Sequence, residues 1–496
     1  MRVTYPHTPG HWLSAIVALA LTAGLAGNVA AQDPPEDPRR TDPITPVEPP
    51  PPPAPETPIE PPPPPAPETP PQPAPHTDLR ETEEVERQEF AKLDVAIVHN
   101  DEEIQFRYRF ETENASWYHT YRTYRDGEWT NPDDSEGRAS EYGFYEDRIS
   151  VMIDDGSVPG FPDYAGYLTA HPGVRSMPGE PTSAEVADSF IADWGLGSDV
   201  RKFLADTREL PEDAGREELW KHPIPEEQIE ALQEEGRFIS SIQWRSNRSN
   251  PVGYGDPGYI LVYRSTAEGT GPYTSNWDSE NNRPLYMFDA EVAGHAALDL
   301  EGLKEQRYGQ DDYYYLTEGH MVPFDPDHEW EEGDTLPAHY LREPDGSRGA
   351  ARASGRYEDG AWHVTITRAL EAVNPLDSKT FEREGVYNLQ FAVHSGGVGE
   401  RYHEVSMPLR LSLGAEEEAH LEAVYAEGPV GDAQADYTSV PLFYPGVLTH
   451  AEVSQEGSVA NSLLSLAAED PLDPNRLRTL QQYIHSHEAR VFGEME

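Results

Sequence analysis

Apolar and polar positions alternate through much of the segment from Phe90 to Met152. Leu93, Val95 and Ile97 alternate with Asp94 and Ala96, and Ile104, Phe106, Tyr108 and Phe110 alternate with Gln105, Arg107 and Arg109. A period of two over short runs, broken by polar turns, predicts antiparallel strands. The same signal returns at Tyr259 to Tyr263, Trp362 to Ile366 and Val386 to Val393. Between Thr182 and Gly236 the period becomes helical. Thr182 and Glu185 suit a capping box ahead of Val186, Phe190, Ile191 and Trp194, and Pro225 and Gly236 bracket a helix around Ile229 and Leu232. Towards the end of the chain Asp473 suits an N-cap and Pro474 a first helical position, with Leu477, Leu480, Ile484 and Val491 along one face. The pattern predicts a mainly β protein, as one large domain or two lobes, with a helical insertion at about 182–236 and a C-terminal helix that packs back on it.

The first residues have a different character. Arg2, an apolar run from Leu13 to Ala23 and the small residues Val29, Ala30 and Ala31 before Gln32 read as a signal peptide over 1–31. The run is too short to span a bilayer comfortably, so an exported, periplasmic protein without direct membrane insertion is expected. Residues 32–80 form a proline-dominated linker in which EPPPPPAPETP occurs at Glu48 to Pro58 and again at Glu60 to Pro70. Such a tract has no apolar face to bury, and in polyproline II the roughly 40 residues from Pro34 to Pro75 would reach on the order of 120 Å as a stiff spacer. A chain beginning at Thr77 is therefore expected to keep the thermal midpoint of the full protein at matched salt. A large drop in midpoint would show that the tract packs on the domain.

Charge narrows the partners. Ninety acidic residues face 37 basic ones, of which only Lys92, Lys202, Lys221, Lys304 and Lys379 are lysines, giving a formal charge of −53. That excess argues against nucleic acid and anionic membrane surfaces. A carboxylate-dense surface poor in lysine fits a halophilic setting, where screening relieves self-repulsion. The chain has no cysteine. Disulfides, thiolate zinc sites, iron–sulfur clusters and covalent c-type haem attachment are thereby excluded. Zinc-protease, P-loop, serine-hydrolase-elbow and dinucleotide signatures are also missing, so an enzyme in its own right is not expected.

The stretch Phe391 to Gly414 carries the clearest candidate chemistry. Phe391 and Val393 alternate with Ala392 and His394, a glycine-rich turn follows, and Val405, Met407, Leu409, Leu411 and Leu413 resume the alternation. This reads as a hairpin with His403 near its turn. On these residues alone, His403 is either an ordinary surface histidine or an imidazole that a rigid ladder directs at haem iron.

Four blocks, in order, resemble one family. Tyr145 to Ile153 reads YEDRISVMI, Gln243 to Leu261 reads QWRSNRSNPVGYGDPGYIL, Gly355 to Leu370 reads GRYEDGAWHVTITRAL, and Phe391 to Val393 is followed by His403, Glu404, Val405 and Ser406. From Phe90 to Gly414 the chain resembles the haem-binding domain of the γ subunits of ethylbenzene dehydrogenase and dimethylsulfide dehydrogenase and of related cytochrome-c-like proteins. The resemblance implies an antiparallel β-sandwich domain at 88–414 with haem near one end, and leaves 415–496 as a C-terminal extension. It implies an electron carrier or accessory subunit of an oxidoreductase, whose redox partner would be a molybdenum oxidoreductase or a membrane cytochrome. It also places an iron ligand at His403.

For the opposite face of the haem the resemblance points to the loop GYLTAHPGVRSMPGE, Gly166 to Glu180. Cytochrome-c-like members resemble this loop but carry two haem-tethering cysteines where Tyr167 and Ala170 stand here. His171, Arg175, Met177 and Pro178 remain, so the implied cofactor is a non-covalent haem b with iron held by His403 and by His171 or Met177. Loss of the cysteines is equally compatible with loss of haem, which leaves a haem-free sandwich that binds carbohydrate or acts as a protein adaptor. Arg245 and Arg248 suit haem propionates or the abundant carboxylates. His394 reads as a residue that orients the ligand, and Trp244 and Trp362 as core aromatics. His485 and His487, two apart on a helix, face different sides and so do not share a metal. Tyr313, Tyr314 and Tyr315 have no assignable task.

Overall fold

The computed structural model describes residues 91–130, 144–170, 185–186, 200, 202–209, 216–395 and 403–493. Two antiparallel-rich sheets face each other across one core. The first is six-stranded and is built around β1 (Lys92–His99) and β2 (Glu103–Glu111). The second is eight-stranded and is built around β3 (Arg148–Asp154), β4 (Ile239–Arg245), β5 (Asp256–Ile260) and β6 (Arg264–Thr266). Later segments complete both. β7 (Ala351–Glu358) and β8 (Ala361–Ala369) extend the first sheet beyond β2, and β9 (Val386–His394), β10 (Glu404–Val405) and β11 (Leu409–Ser412) extend the second beyond β3. Beyond Gly414, Leu421–Glu422 pairs with β11, while Val424–Tyr425 and Thr438–Pro441 pair with β1.

Register follows from the alternation. Val95 lies opposite Tyr108 and Tyr108 opposite Val364, so one inward row crosses β1, β2 and β8. Ile149, Val151, Ile153, Phe391 and Trp244 project from the second sheet into the same core. The sheets meet through aromatic edges, Tyr108 against Phe391 with ring centroids 5.7 Å apart and Trp244 against Trp362 at 5.0 Å. Both tryptophans are fully buried, as expected of core aromatics. Their indole N–H groups donate to Asn250 Oδ1 at 3.0 Å and Asp147 Oδ2 at 2.8 Å. Gly355 of β7 lets Trp244 lie directly on the backbone, since a Cβ there would come within 2.2 Å of the indole. Gly355→Ala is expected to cost about 1–3 kcal/mol by overpacking, measured as a shift in the denaturation midpoint at unchanged m.

Helices cover the other face of the second sheet. They are α1 (Phe161–Thr169), α3 (His450–Val453), α4 (Val459–Ala468) and α5 (Pro474–Gly493), with α2 (Glu226–Glu234) in the insertion. Leu477, Leu480 and Ile484 of α5 pack with Leu464 of α4 and with Tyr167, Val405 and Met407, so the C-terminal helix does return to the domain. Pro225 and Gly236 bracket α2 as their chemistry requires, with Gly236 at φ 75°. Two expectations need correction. The strand expected at Tyr259 to Tyr263 runs from Asp256 to Ile260, because the Leu261 N–H turns to the Tyr263 carbonyl and ends the ladder. The loop expected from Gly166 begins with the last turn of α1, for which Pro162 near the helix start is compatible rather than disruptive. Thr182, Phe190, Ile191 and Trp194 lie outside the described residues.

Candidate functional site

Antiparallel pairing assembles the site from residues far apart in sequence. Ala392 lies opposite Val405 and Val393 opposite Glu404, which puts His394 opposite His403 at the mouth of the hairpin. His394 in turn lies opposite Arg148, and Arg148 opposite Arg245. Directly opposed residues point to one face of a sheet, so two imidazoles and two guanidiniums form a row across four adjacent strands. Val393, Ile149 and Trp244, one step along, point into the sandwich core, so the row points away from it, towards Tyr167 of α1 at the imidazole end and Tyr145 and Tyr273 at the guanidinium end. It crosses the end of the sheet: His394 and Arg245 close their strands, and Arg148 opens its own.

The imidazole end of the row is tightly held. The rings of His394 and His403 stack with centroids 4.4 Å apart and planes 10° from parallel, and His403 is buried. Rings so stacked stand side by side, and cannot be trans ligands on opposite faces of one haem plane. Val405 and Phe443 exchange backbone hydrogen bonds of 2.8 Å, and the Ser406 N–H donates to the Phe391 carbonyl at 3.0 Å. The Ser406 hydroxyl accepts from the Phe391 N–H at 3.0 Å, and the Gln390 amide donates to the Ser406 carbonyl at 3.0 Å. The side-chain oxygen of Gln390 also accepts the Tyr167 N–H, tying α1 to the same strand. Tyr167 then lays its ring 5.0 Å from that of His403. Gly166 permits the approach, since a Cβ there would meet Met152 Sδ at 2.5 Å. Thus the last turn of α1 lies against the His403 ring through Tyr167; His171 and Met177, which follow it in sequence, lie outside the described residues.

The guanidinium end carries a buried charge network. Asp256 accepts from Arg245 at 2.5 Å and from Arg348 at 2.8 Å, and Glu146 accepts from Arg248 at 2.6 Å with Arg245 at 4.0 Å. The second oxygen of Glu146 takes the backbone N–H groups of Asn247 and Arg248 at 3.0 and 2.8 Å. Burial alone would raise the Glu146 pKa, but Arg248, His119, Arg245 and Arg148 outweigh it and hold the carboxyl down at about 2. Asp256 is lowered likewise, burial being overcome by Arg245 and Arg348. Arg245 and Arg248 are therefore paired with carboxylates, one of the two roles their sequence allowed.

A family model described as ethylbenzene dehydrogenase matches residues 56–406, well over half of the chain. The chain belongs to the ethylbenzene dehydrogenase family. Among curated proteins, none matches it. The family match takes in the whole row and ends on Ser406, so the helices α3, α4 and α5 lie outside the segment shared with the ethylbenzene dehydrogenase family.

In this family member other polar groups meet different fates. His485 contacts Gln481 and stacks at 6.2 Å on Tyr444, while His487 Nε2 lies 2.8 Å from the Glu452 carboxylate, so the two do point apart. Among the described residues, no three histidines, acids or cysteines meet in a group that could hold a metal. A cavity of about 270 Å³ between Tyr164, Leu204, Arg237 and His450 is lined by neither His394 nor His403. Tyr314 fills an aromatic core with Tyr118, Tyr121 and Trp129 in the segment between the sandwich strands. Arg148 and Glu146 are the site residues that motif reading passed over. Both stand in the YEDRISVMI block, and the signal was there: a guanidinium at the start of a strand whose core face, Ile149, Val151 and Ile153, is wholly apolar.

Proposed function

We propose that this chain is an exported, non-covalent haem-b-binding electron-transfer protein or subunit, with His403 as one iron ligand and His171 or Met177 as the other. The observation that carries the reading is the row of buried His403, half-buried His394 and buried Arg148 and Arg245 at one end of the sheet, next to the helix that leads into the second ligand segment. The residues fit such a group. The row offers a clamped imidazole and, two strands away, a buried guanidinium whose Nε has no hydrogen-bond partner. When bound, the haem would supply a one-electron iron couple.

The chain's own contribution is positioning and field. The doubly bonded Val405 and Ser406 backbone fixes the direction of the His403 ring, and the stacked His394 ring limits its rotation. α1 and the C-terminal helices exclude water from that face, while the guanidiniums favour the less positive, reduced state of an iron held nearby. His403 with His171 or Met177 would hold the iron from the protein side and would leave no position for oxygen, which suits electron transfer better than oxygen activation. A redox partner protein, a molybdenum oxidoreductase or a membrane cytochrome, completes the proposal.

Acid–acetone extraction of the loaded protein is expected to remove all pigment, since there is no cysteine to form a thioether; colour retained by the polypeptide contradicts a b-type site. Substituting His171 and Met177 singly by Ala separates the second ligands. The true ligand gives a high-spin spectrum on removal, and its neighbour leaves the spectrum low-spin. A low-spin spectrum in both variants places the second ligand elsewhere.

A further inference from the structure

Arg148 differs from every other guanidinium of the network. It is only 9 % exposed, yet its Nε has no hydrogen-bond partner, and among the described residues it forms no ion pair. Its one close neighbour of note is the ring of Tyr145, 4.7 Å from the guanidinium carbon. Burial lowers its pKa more than the nearby charge of Glu146, which is already paired with Arg248, can restore it. Arg245, Arg248 and Arg348 share the carboxylates of Glu146 and Asp256. Among the described residues the network thus sets four guanidiniums against two carboxylates on this face, within a chain whose formal charge is −53. Asp147, the neighbouring acid, points the other way and accepts from Trp362 and from the Ser116 N–H. An uncompensated buried cation is costly, and so marks a place where an anion is missing.

The row says which anion. Arg148 stands two strands from His403, about 10 Å at the usual strand spacing, and on the same face. That is the order of separation between the iron of a haem and the carboxylates at its edge. Building on the haem reading above, we propose that Arg148 is the propionate anchor of this site, and that Arg245 and Arg248 hold its surroundings in place through Asp256 and Glu146. The guanidinium offers a planar fork to a carboxylate that arrives with the cofactor.

The experiment compares haem with its propionate dimethyl ester, using the full chain and its Arg148→Leu and Arg148→Lys variants, read by Soret titration. The wild type is expected to bind haem about ten- to a hundredfold more tightly than the ester, the size of a buried charge-assisted hydrogen bond. Arg148→Leu should lose that preference while keeping the low-spin spectrum set by His403, and Arg148→Lys should restore part of it. Without cofactor, Arg148→Leu should melt at a temperature no lower than the wild type, because it removes an unpaired buried charge. A wild type that takes up both compounds equally with a low-spin spectrum overturns the anchor and leaves the haem reading standing. So does a preference retained in Arg148→Leu, or a lowered melting point of that variant without cofactor. Uptake of neither compound by the wild type overturns both.

Discussion

Replacing His403 by Ala is expected to abolish the low-spin haem spectrum or convert it to a high-spin one. Binding should weaken by more than the roughly ten- to hundredfold that loss of an outer partner costs. His394→Ala should stay within that range and shift the bands without changing the spin state, because its stacked ring orients its neighbour and is badly placed to ligate on the opposite face. The pair of variants separates a ligand from its support. Both fold comparably on this account, since the hairpin is held by Val405, Ser406 and Phe391 backbone bonds that neither substitution touches. A low-spin spectrum that survives His403→Ala unchanged would falsify the site while leaving the sandwich intact.

Glu146→Gln should have the largest effect on stability. The carboxylate is fully buried, bridges Arg248 and Arg245, and also receives two backbone N–H groups. Removing its charge leaves buried guanidiniums uncompensated, a loss of about 3 to 5 kcal/mol by the behaviour of broken buried pairs. The pH dependence has a definite sign. The folded-state pKa is depressed to about 2 from the ordinary glutamate value of 4.5, so the contribution is complete above the unfolded pKa and is lost as pH falls from about 4.5 towards 2. Denaturant titrations through that window should show the wild type losing stability more steeply than Glu146→Gln. Parallel curves would contradict the role given to this carboxylate.

The strands were legible because their chemistry is local. Leu93 to Ile97 and Ile104 to Phe110 alternate so plainly that their inward rows follow from the sequence, and Trp244 and Trp362 could only be satisfied inside. The C-terminal helix was equally clear from Asp473, Pro474 and its leucine spacing. The site was legible as a set of residue types but not as an arrangement. His394, His403, Arg245 and Arg248 could be named, whereas the row that His403, His394, Arg148 and Arg245 form depends on which strands pair, with Arg148 brought against His394 from 246 positions earlier in the chain. No local period encodes such a register. Arg148 was therefore missed, although its block had been read. The helix α1 was hidden for another reason: it is two short turns joined at a kink, with Ala165 at φ 58°, in which Gly160 and Pro162 serve the start and Gly166 a close contact with Met152. The aromatic segment between the sheets, with strands of two to five residues, offers too little pattern for any period to register.

Titrating the full chain with ferric haem, and following the Soret band, tests the central claim most directly. The account predicts saturation at one haem per chain with a sharp low-spin band in the wild type, and no such band in His403→Ala. Uptake that never saturates, or a wild-type spectrum indistinguishable from free haem, would contradict it.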